Sequence, residues 1–497
     1  MATLFFGNPA IRAVTLTRGF ASQPHDWFAF VGRVAPTGGK SGATAPSVGK
    51  YDDSGFRMRD LLASFWPVCT LLRGQNEPAR DFPLGLDYSP PYEMRNAIPA
   101  SERSNMVQTI RGRVAIAGVG ETTYYKHGQA PEPEVKLALR AILAACSDAG
   151  IEPRAIDGFA SYSNDRNEPS RLAAALGLPE LRFSNMQWGG GGGGGSAAVG
   201  NAAAAIAAGY ADCVVVFRAL AQGQFQRFGA APPAATASGE AALTFPYGLI
   251  SPAQRFAMKV MRFLHDHGIG AGAQRAIALA SYHHAQNNPR AVMHGRPLTP
   301  EGYDDSRWIV EPFRLFDCCM ENDGAAALVL VAAERARDLR QRPAYLLGVA
   351  QGSEHRNAAR GHNAPTYASA SFTTVAPRLW AMAGLTPKDV SVVQSYENFT
   401  GGVLMSLIEH DFFSAEEAND FLTLDNLTAP HGRLPLNTSG GNLAECYMHG
   451  LELQIEAVRQ LRGQSSNPVP GARAAMVISG PMVTPVSSML LGTEEML

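Results

Sequence analysis

Ala149-Gly150-Ile151-Glu152-Pro153-Arg154-Ala155-Ile156-Asp157 recurs later in the chain as Ala383-Gly384-Leu385-Thr386-Pro387-Lys388-Asp389-Val390-Ser391. In the first copy Gly150 stops a helix of apolar period running from Glu134, and Ile156 to Tyr162 reads as the strand that follows. Each copy leads on to a glycine-rich turn, a helix and an apolar strand, Val214 to Phe217 in one case and Ala475 to Ser479 in the other. The chain therefore contains two similar halves, and two copies are too few for a solenoid.

Working outward, Arg113 to Gly120 is an apolar strand closed by glycines, and a polyalanine helix from Ser196 to Ala208 leads into the strand Cys213 to Phe217. Alternating strands and helices predict an α/β layered fold with a mostly parallel sheet. Residues 1–105 mix prolines, glycines and isolated charges, as in Ala35 to Lys40, without sustained periodicity. They are read as an extension that does not fold compactly: an over-long start preceding Met106, or, with Arg12 and Arg18 and no acid in the first 25 residues, a transit segment. The domain division expected is 1–105, a first half with an inserted loop region at 106–340, and a second half at 341–497.

With 497 residues, 46% of them hydrophobic, and a formal charge of -2, the chain can bury a large core. That balance gathers neither nucleic acid nor anionic membrane, and no apolar run reaches the roughly 20 residues of a spanning helix. The six cysteines lack CxxC spacing, so no zinc cage or disulfide framework is expected, and a reducing cytoplasm fits best. Gly189 to Gly195 contains GxGxxG, but Asp212 precedes the next strand instead of ending it, against a dinucleotide site. His265, His267, His283 and His284 are read as solvated helix faces, and Cys318-Cys319 as structural.

From Arg113 to its end the chain resembles the thiolase superfamily, whose two pseudo-symmetric βαβ halves pack in five layers, α-β-α-β-α. Phe245-Pro246-Tyr247-Gly248, Ser251 to Gln254, Asn288-Pro289-Arg290, Gly295 to Thr299 and Asp317 to Ala326 are similar to its sterol-carrier, lipid-transfer branch. In that family a nucleophilic cysteine opens a buried helix, where the helix dipole lowers a thiol's pKa. The corresponding place here falls near Gly192, within seven consecutive glycines. The family's His-Asp-x-Phe is matched by Tyr396-Glu397-Asn398-Phe399, and its Gly-His-Pro-Leu-Gly, four residues after a Gly-Gly pair, by Cys446-Tyr447-Met448-His449-Gly450 after Gly440-Gly441. Tyrosine stands at both catalytic histidines.

A nucleophile lost and two histidines exchanged for the same acid-base-capable side chain resemble the cysteine-less retro-aldolases that shorten steroid side chains. The resemblance implies a lyase acting on a branched β-hydroxyacyl-CoA, with Tyr396 and Tyr447 as the acid-base pair and His449 and Asn398 as secondary members of the site. Gly191, Gly192, Gly193, Gly194 and Gly441 would supply oxyanion or substrate contacts. A free phenol near pKa 10 is a poor base at pH 7, so a nearby cation, backbone donors or relay water must assist, with a proton network shared by the two tyrosines as the economical arrangement. Arg255, Arg290 and Arg296, with Arg262, lie where the family contacts CoA phosphates. No metal and no cofactor beyond the coenzyme A of the substrate are expected. Partners implied are a second copy and a small OB-fold, zinc-ribbon protein.

Plainer readings stand beside these. The tyrosines could be core residues, the glycine run a non-contacting surface loop, and Glu397 and Asn398 caps of a helix opening near Gly401. Rival functions are acyl transfer through Ser196 or Cys446, and a non-catalytic lipid or acyl-CoA binding subunit.

Overall fold

The computed structural model describes residues 2–4, 14–16, 109–189, 191–225, 242–354 and 366–497. Two units separate, Met1–Ala97 and Ile98–Leu497. In the first, Ala2–Leu4 pairs antiparallel with Val14–Leu16. The expectation for residues 1–105 otherwise lies outside the described residues.

In the second unit the repeated stretch is one structural device used twice. Helix α1 (Glu134–Ala149) buries Leu137, Ala138, Ala141, Ile142, Ala145 and Ala149, a stripe at helical spacing, and ends where Gly150 turns left-handed at φ 73°. Its counterpart, Ala376–Ala383, ends in the same way on Gly384 at φ 62°. Each is followed by one short 3-10 turn, Pro153–Ala155 or Pro387–Asp389, which delivers the chain to the next strand.

The first half runs β1 (Val114–Glu121), α1, β2 (Gly158–Tyr162), α2 (Pro169–Leu176), β3 (Phe183–Gln187), α3 (Gly194–Ala207) and β4 (Cys213–Ala221). An insertion carrying α4 (Pro252–His267) and α5 (Ala271–Gln286) precedes β5 (Asn322–Ala332). The second half is β6 (Ala344–Gly352), α6 (Ala376–Ala383), β7 (Val392–Ser395), α7 (Thr400–Glu409), α8 (Leu451–Arg462), β8 (Ala474–Ser479) and β9 (Val486–Gly492). The expected division at residue 340 falls in the turn entering β6.

The strands line up as β7-β8-β9-β6-β1-β5-β4-β2-β3, with Tyr125–Lys126 added against β5. Strands joined by helical crossovers are parallel: β2 with β3 and β4, and β7 with β8. The sheet is nonetheless mixed, because β5 and β9 run against both their neighbours. For β9 the reason is length: only Gly480–Pro485 separate it from β8, far too few residues for a parallel return.

Helices α1 and α6 cover the outer faces, while α3 and α8 each touch strands of both halves and form the middle layer. Within that layer α3 is alanine-rich and buried on nearly all sides, whereas α8 also buries Glu452, Gln454, Glu456 and Gln460. A Cβ on Gly200 would stand 3.0 Å from Val349 Cγ2, so the strand beneath leaves little room for bulk. Five layers result, and the openings of α3 and α8 meet the ends of β2, β7 and β8.

Candidate active site

Tyr396 directly follows strand β7, and its N–H donates to Ile478 O of β8 at 2.9 Å. Tyr447 arrives on the loop before α8, its N–H donating to Asn322 Oδ1 at 3.0 Å. The two hydroxyls lie 2.8 Å apart, with the rings 2% and 7% exposed. The sequence-derived pair is thus brought into direct contact within the core, and one phenol donates to the other.

His449 joins them, its ring 5.5 Å from that of Tyr447 and 6.1 Å from that of Tyr396. Tyr162, at the end of β2, stacks on His449 at 5.7 Å and donates its hydroxyl to the His449 carbonyl at 3.0 Å. Burial, with Arg218 nearby, holds the His449 imidazole well below its ordinary pKa, so it is neutral across the physiological range. Burial likewise pushes both phenols above 10; for Tyr447 the charge of Arg218 and the bond from Tyr396 pull the other way without overcoming it. Both tyrosines therefore rest protonated. Arg218 acts as a nearby cation on Tyr447, one of the aids the sequence reading offered, yet it does not make a standing phenolate.

Gly192, near which motif register puts the family cysteine, faces this pair. A Cβ built on it falls into the Tyr396 ring, against Cε2 and Cζ and 2.7 Å from the hydroxyl. Glycine here is a steric condition for the tyrosine. The run is not a loose surface loop: a 3-10 turn, Gly191–Gly193, feeds α3, which begins at Gly194 and not Ser196. The side-chain directions of these glycines do not all border the pair. A Cβ on Gly193 would stand 2.5 Å from Pro485 O, and one on Gly194 would stand 2.6 Å from Tyr162 Cβ. Gly191 and Gly192 remain beside His449 and Tyr396.

Glu397 does not cap a helix. The cap position of α7 is Phe399, without a side-chain bond, while the Glu397 carboxyl is buried between Ser281 Oγ and the Leu443 N–H. Burial raises it to about 7. Gly441 is side-chain-free to admit that carboxyl, so its role is packing on Glu397. Asn398 is turned to the loop after β8, donating to Pro481 O at 3.0 Å while accepting from the Phe399 N–H.

The candidates for acyl transfer are poorly placed. Cys446 is buried, with its thiol pushed well above the ordinary value by burial and neighbouring acids. Ser196 Oγ is bonded to Ser479 Oγ at 2.8 Å inside the middle layer. Of the histidines read as solvated, His284 is the exception. It is fully buried, accepts from the Ala429 N–H at 2.9 Å and is lowered to about 3, because α5 packs that face against the second half. Among the described residues no group of three or more His, Cys, Asp or Glu is placed to hold a metal ion, and no helix is long and apolar enough to cross a membrane.

The arginines differ. Arg290 reaches Glu121 at 3.2 Å beside Arg459, Arg262 pairs with Asp266, Arg296 is exposed and Arg255 is half-buried on α4. Residues the sequence reading missed are Tyr162, Arg218 and Glu452, whose carboxyl accepts from the Gly450 N–H at 3.0 Å and from Asn442. A charge within the apolar run Cys213–Ala221 was the available signal for Arg218.

Residues 350–493 match the family described as thiolase C-terminal domain-like. The chain is 40% identical over 391 residues to a 17-hydroxy-3-oxo-4-pregnene-20-carboxyl-CoA lyase of Mycobacterium tuberculosis, covering 77% of this chain and all of that protein. A steroid side-chain-cleaving aldolase of Thermomonospora curvata is 38% identical, over 78% of this chain and all of its own length. The solved Ltp2-ChsH2(DUF35) aldolase superposes with a TM-score of 0.73 at 37% identity, covering 78% of this chain and 100% of that one. Human mitochondrial 3-ketoacyl-CoA thiolase, at 15% identity and a TM-score of 0.57, shares the fold. The tyrosine pair, the missing thiol and these likenesses agree: the chain belongs to the thiolase superfamily, in its steroid side-chain-cleaving aldolase branch.

Proposed function

We propose that the protein is a retro-aldol lyase that splits a branched β-hydroxyacyl-CoA, a steroid side-chain thioester, into a ketone and a short acyl-CoA. The observation that carries this reading is the 2.8 Å contact between the Tyr396 and Tyr447 hydroxyls opposite Gly192. The substrate's β-hydroxyl gives its proton to one phenol oxygen, that phenol passes its own proton across the contact, and the second phenol delivers one to the α-carbon. Meanwhile the α,β carbon-carbon bond breaks, its electrons form the thioester enolate, and the β-carbon becomes a ketone. Every proton is accounted for and each tyrosine ends neutral.

A relay suits buried phenols better than a free phenolate. Three pK units separate an ordinary tyrosine from pH 7, about 4 kcal/mol, and burial here widens the gap. The N–H groups of Gly191 and Gly192 are assigned to the enolate oxygen, as preorganised donors in a water-poor site. Arg255, Arg290 and Arg296 are the candidates for CoA phosphates, the guanidinium fork being suited to a diphosphate. No cofactor enters this scheme beyond the coenzyme A of the substrate. A cytoplasmic homodimer joined to a DUF35-type partner, the kind of protein in the name of the similar Ltp2-ChsH2(DUF35) aldolase, completes the proposal.

The test is to incubate the purified protein, with and without such a partner, with 17-hydroxy-3-oxo-4-pregnene-20-carboxyl-CoA, the compound in the mycobacterial relative's name. Chromatography should find a ring ketone and propionyl-CoA. Intact thioester under both conditions rejects the reading and leaves a binding subunit.

A further inference from the structure

Arg218 interrupts the apolar strand β4 and is 1% exposed, and the side chain of its partner Asp165 is fully buried. One guanidinium nitrogen donates to Tyr162 O and to Asp165 Oδ2, each at 3.0 Å, and the other to Ser163 O at 3.1 Å. Asp165 also accepts from the Asn167 N–H at 2.8 Å and its amide at 2.9 Å. A buried ion pair contributes little net stability over apolar packing, so its place here asks for another reason.

What it holds is a strained corner. Ser163 and Asn164 are both left-handed, at φ 52° and 55°, where side chains are disfavoured. Tyr162 leaves that corner to bond and stack on His449, itself left-handed at φ 59°, whose ring lies against both catalytic tyrosines. Three non-glycine residues in this region converge on one site, and such strain persists only where the surroundings over-determine it. The arm crosses from the first half of the fold to the second.

We propose that Arg218, paired with Asp165, is a positioning residue for the tyrosine pair, acting through Tyr162 on the His449 loop. The inference rests on the lyase reading for its kinetic consequence. R218K keeps the charge but cannot span three acceptors with a planar fork, and Y162F removes only the hydroxyl that bonds His449 O.

With 17-hydroxy-3-oxo-4-pregnene-20-carboxyl-CoA, each variant should lose about 10- to 100-fold in kcat while KM moves less than about twofold, the signature of misplacement rather than lost binding. R218K/Y162F should be no worse than R218K. Unchanged kcat, a loss confined to KM, or losses that multiply would overturn the proposal. Carbon-13 labelling at tyrosine Cζ, assigned with Y396F and Y447F, reads the pair without turnover. Both resonances move in R218K and Y162F if the arm positions them, and stay at wild-type positions if it does not, even should the thioester prove inert and the lyase reading fail.

Discussion

Gly192 and Tyr396 occupy one another's space: a Cβ on the glycine falls inside the tyrosine ring. By motif register the family's cysteine falls near Gly192, and a side chain there would compete with the phenol ring for one volume. G192C should therefore fail to restore acyl transfer. It should destabilise the fold by about 1–3 kcal/mol through overpacking, read as a lowered Tm. Adding Y396A should offset part of that loss, leaving the double variant more stable than the sum of the singles. Additive losses would mean that the two positions do not compete.

Stability should depend on pH in a defined window. Burial raises Glu397 and Glu409 to about 7 and Glu445 to about 8, so each holds a proton in the fold that the unfolded chain has lost. Their contribution is complete below the ordinary glutamate value and disappears as pH rises through these raised values. Buried His284, at about 3, and His410, at about 4, act oppositely, but only below about 6.5. Between about pH 6.5 and 8 the acids act alone, and stability should fall by on the order of 1–3 kcal/mol. Denaturant melts across that range measure it, and E397Q should flatten part of the slope.

Cys446 should be dispensable to the chemistry. Its thiol is buried and pushed up, the reverse of an activated nucleophile. C446A should retain turnover within about threefold, and mass spectrometry of wild-type protein after acyl-CoA exposure should find unmodified mass. A stable acyl adduct on any residue would favour transfer.

Much of this was legible in the chain. The Ala-Gly…Pro repeat encodes a helix stop, a 3-10 turn and a strand entry, all local events, and local events survive reading without coordinates. Tyr396 and Tyr447 emerged from motif register. Strand direction was less accessible: β5 is set by sheet assembly and not by its own residues, whereas the short link Gly480–Pro485 does dictate an antiparallel β9. Arg218 and Tyr162 escaped because their meaning lies in contacts between segments far apart in sequence. Glu397 looked like a cap for the same reason: its partners, Ser281 and Leu443, come from the insertion and from a later turn.

The proton relay between the two phenols is the centre of the account, and single-turnover kinetics of Y396F, Y447F and Y396F/Y447F against wild type test it most directly. Because one shared proton path is broken in every case, each single variant should lose about 10²- to 10⁴-fold in the rate of propionyl-CoA formation, with the double variant close to the slower single. Wild-type rates in either single variant, or losses that multiply in the double, would contradict it.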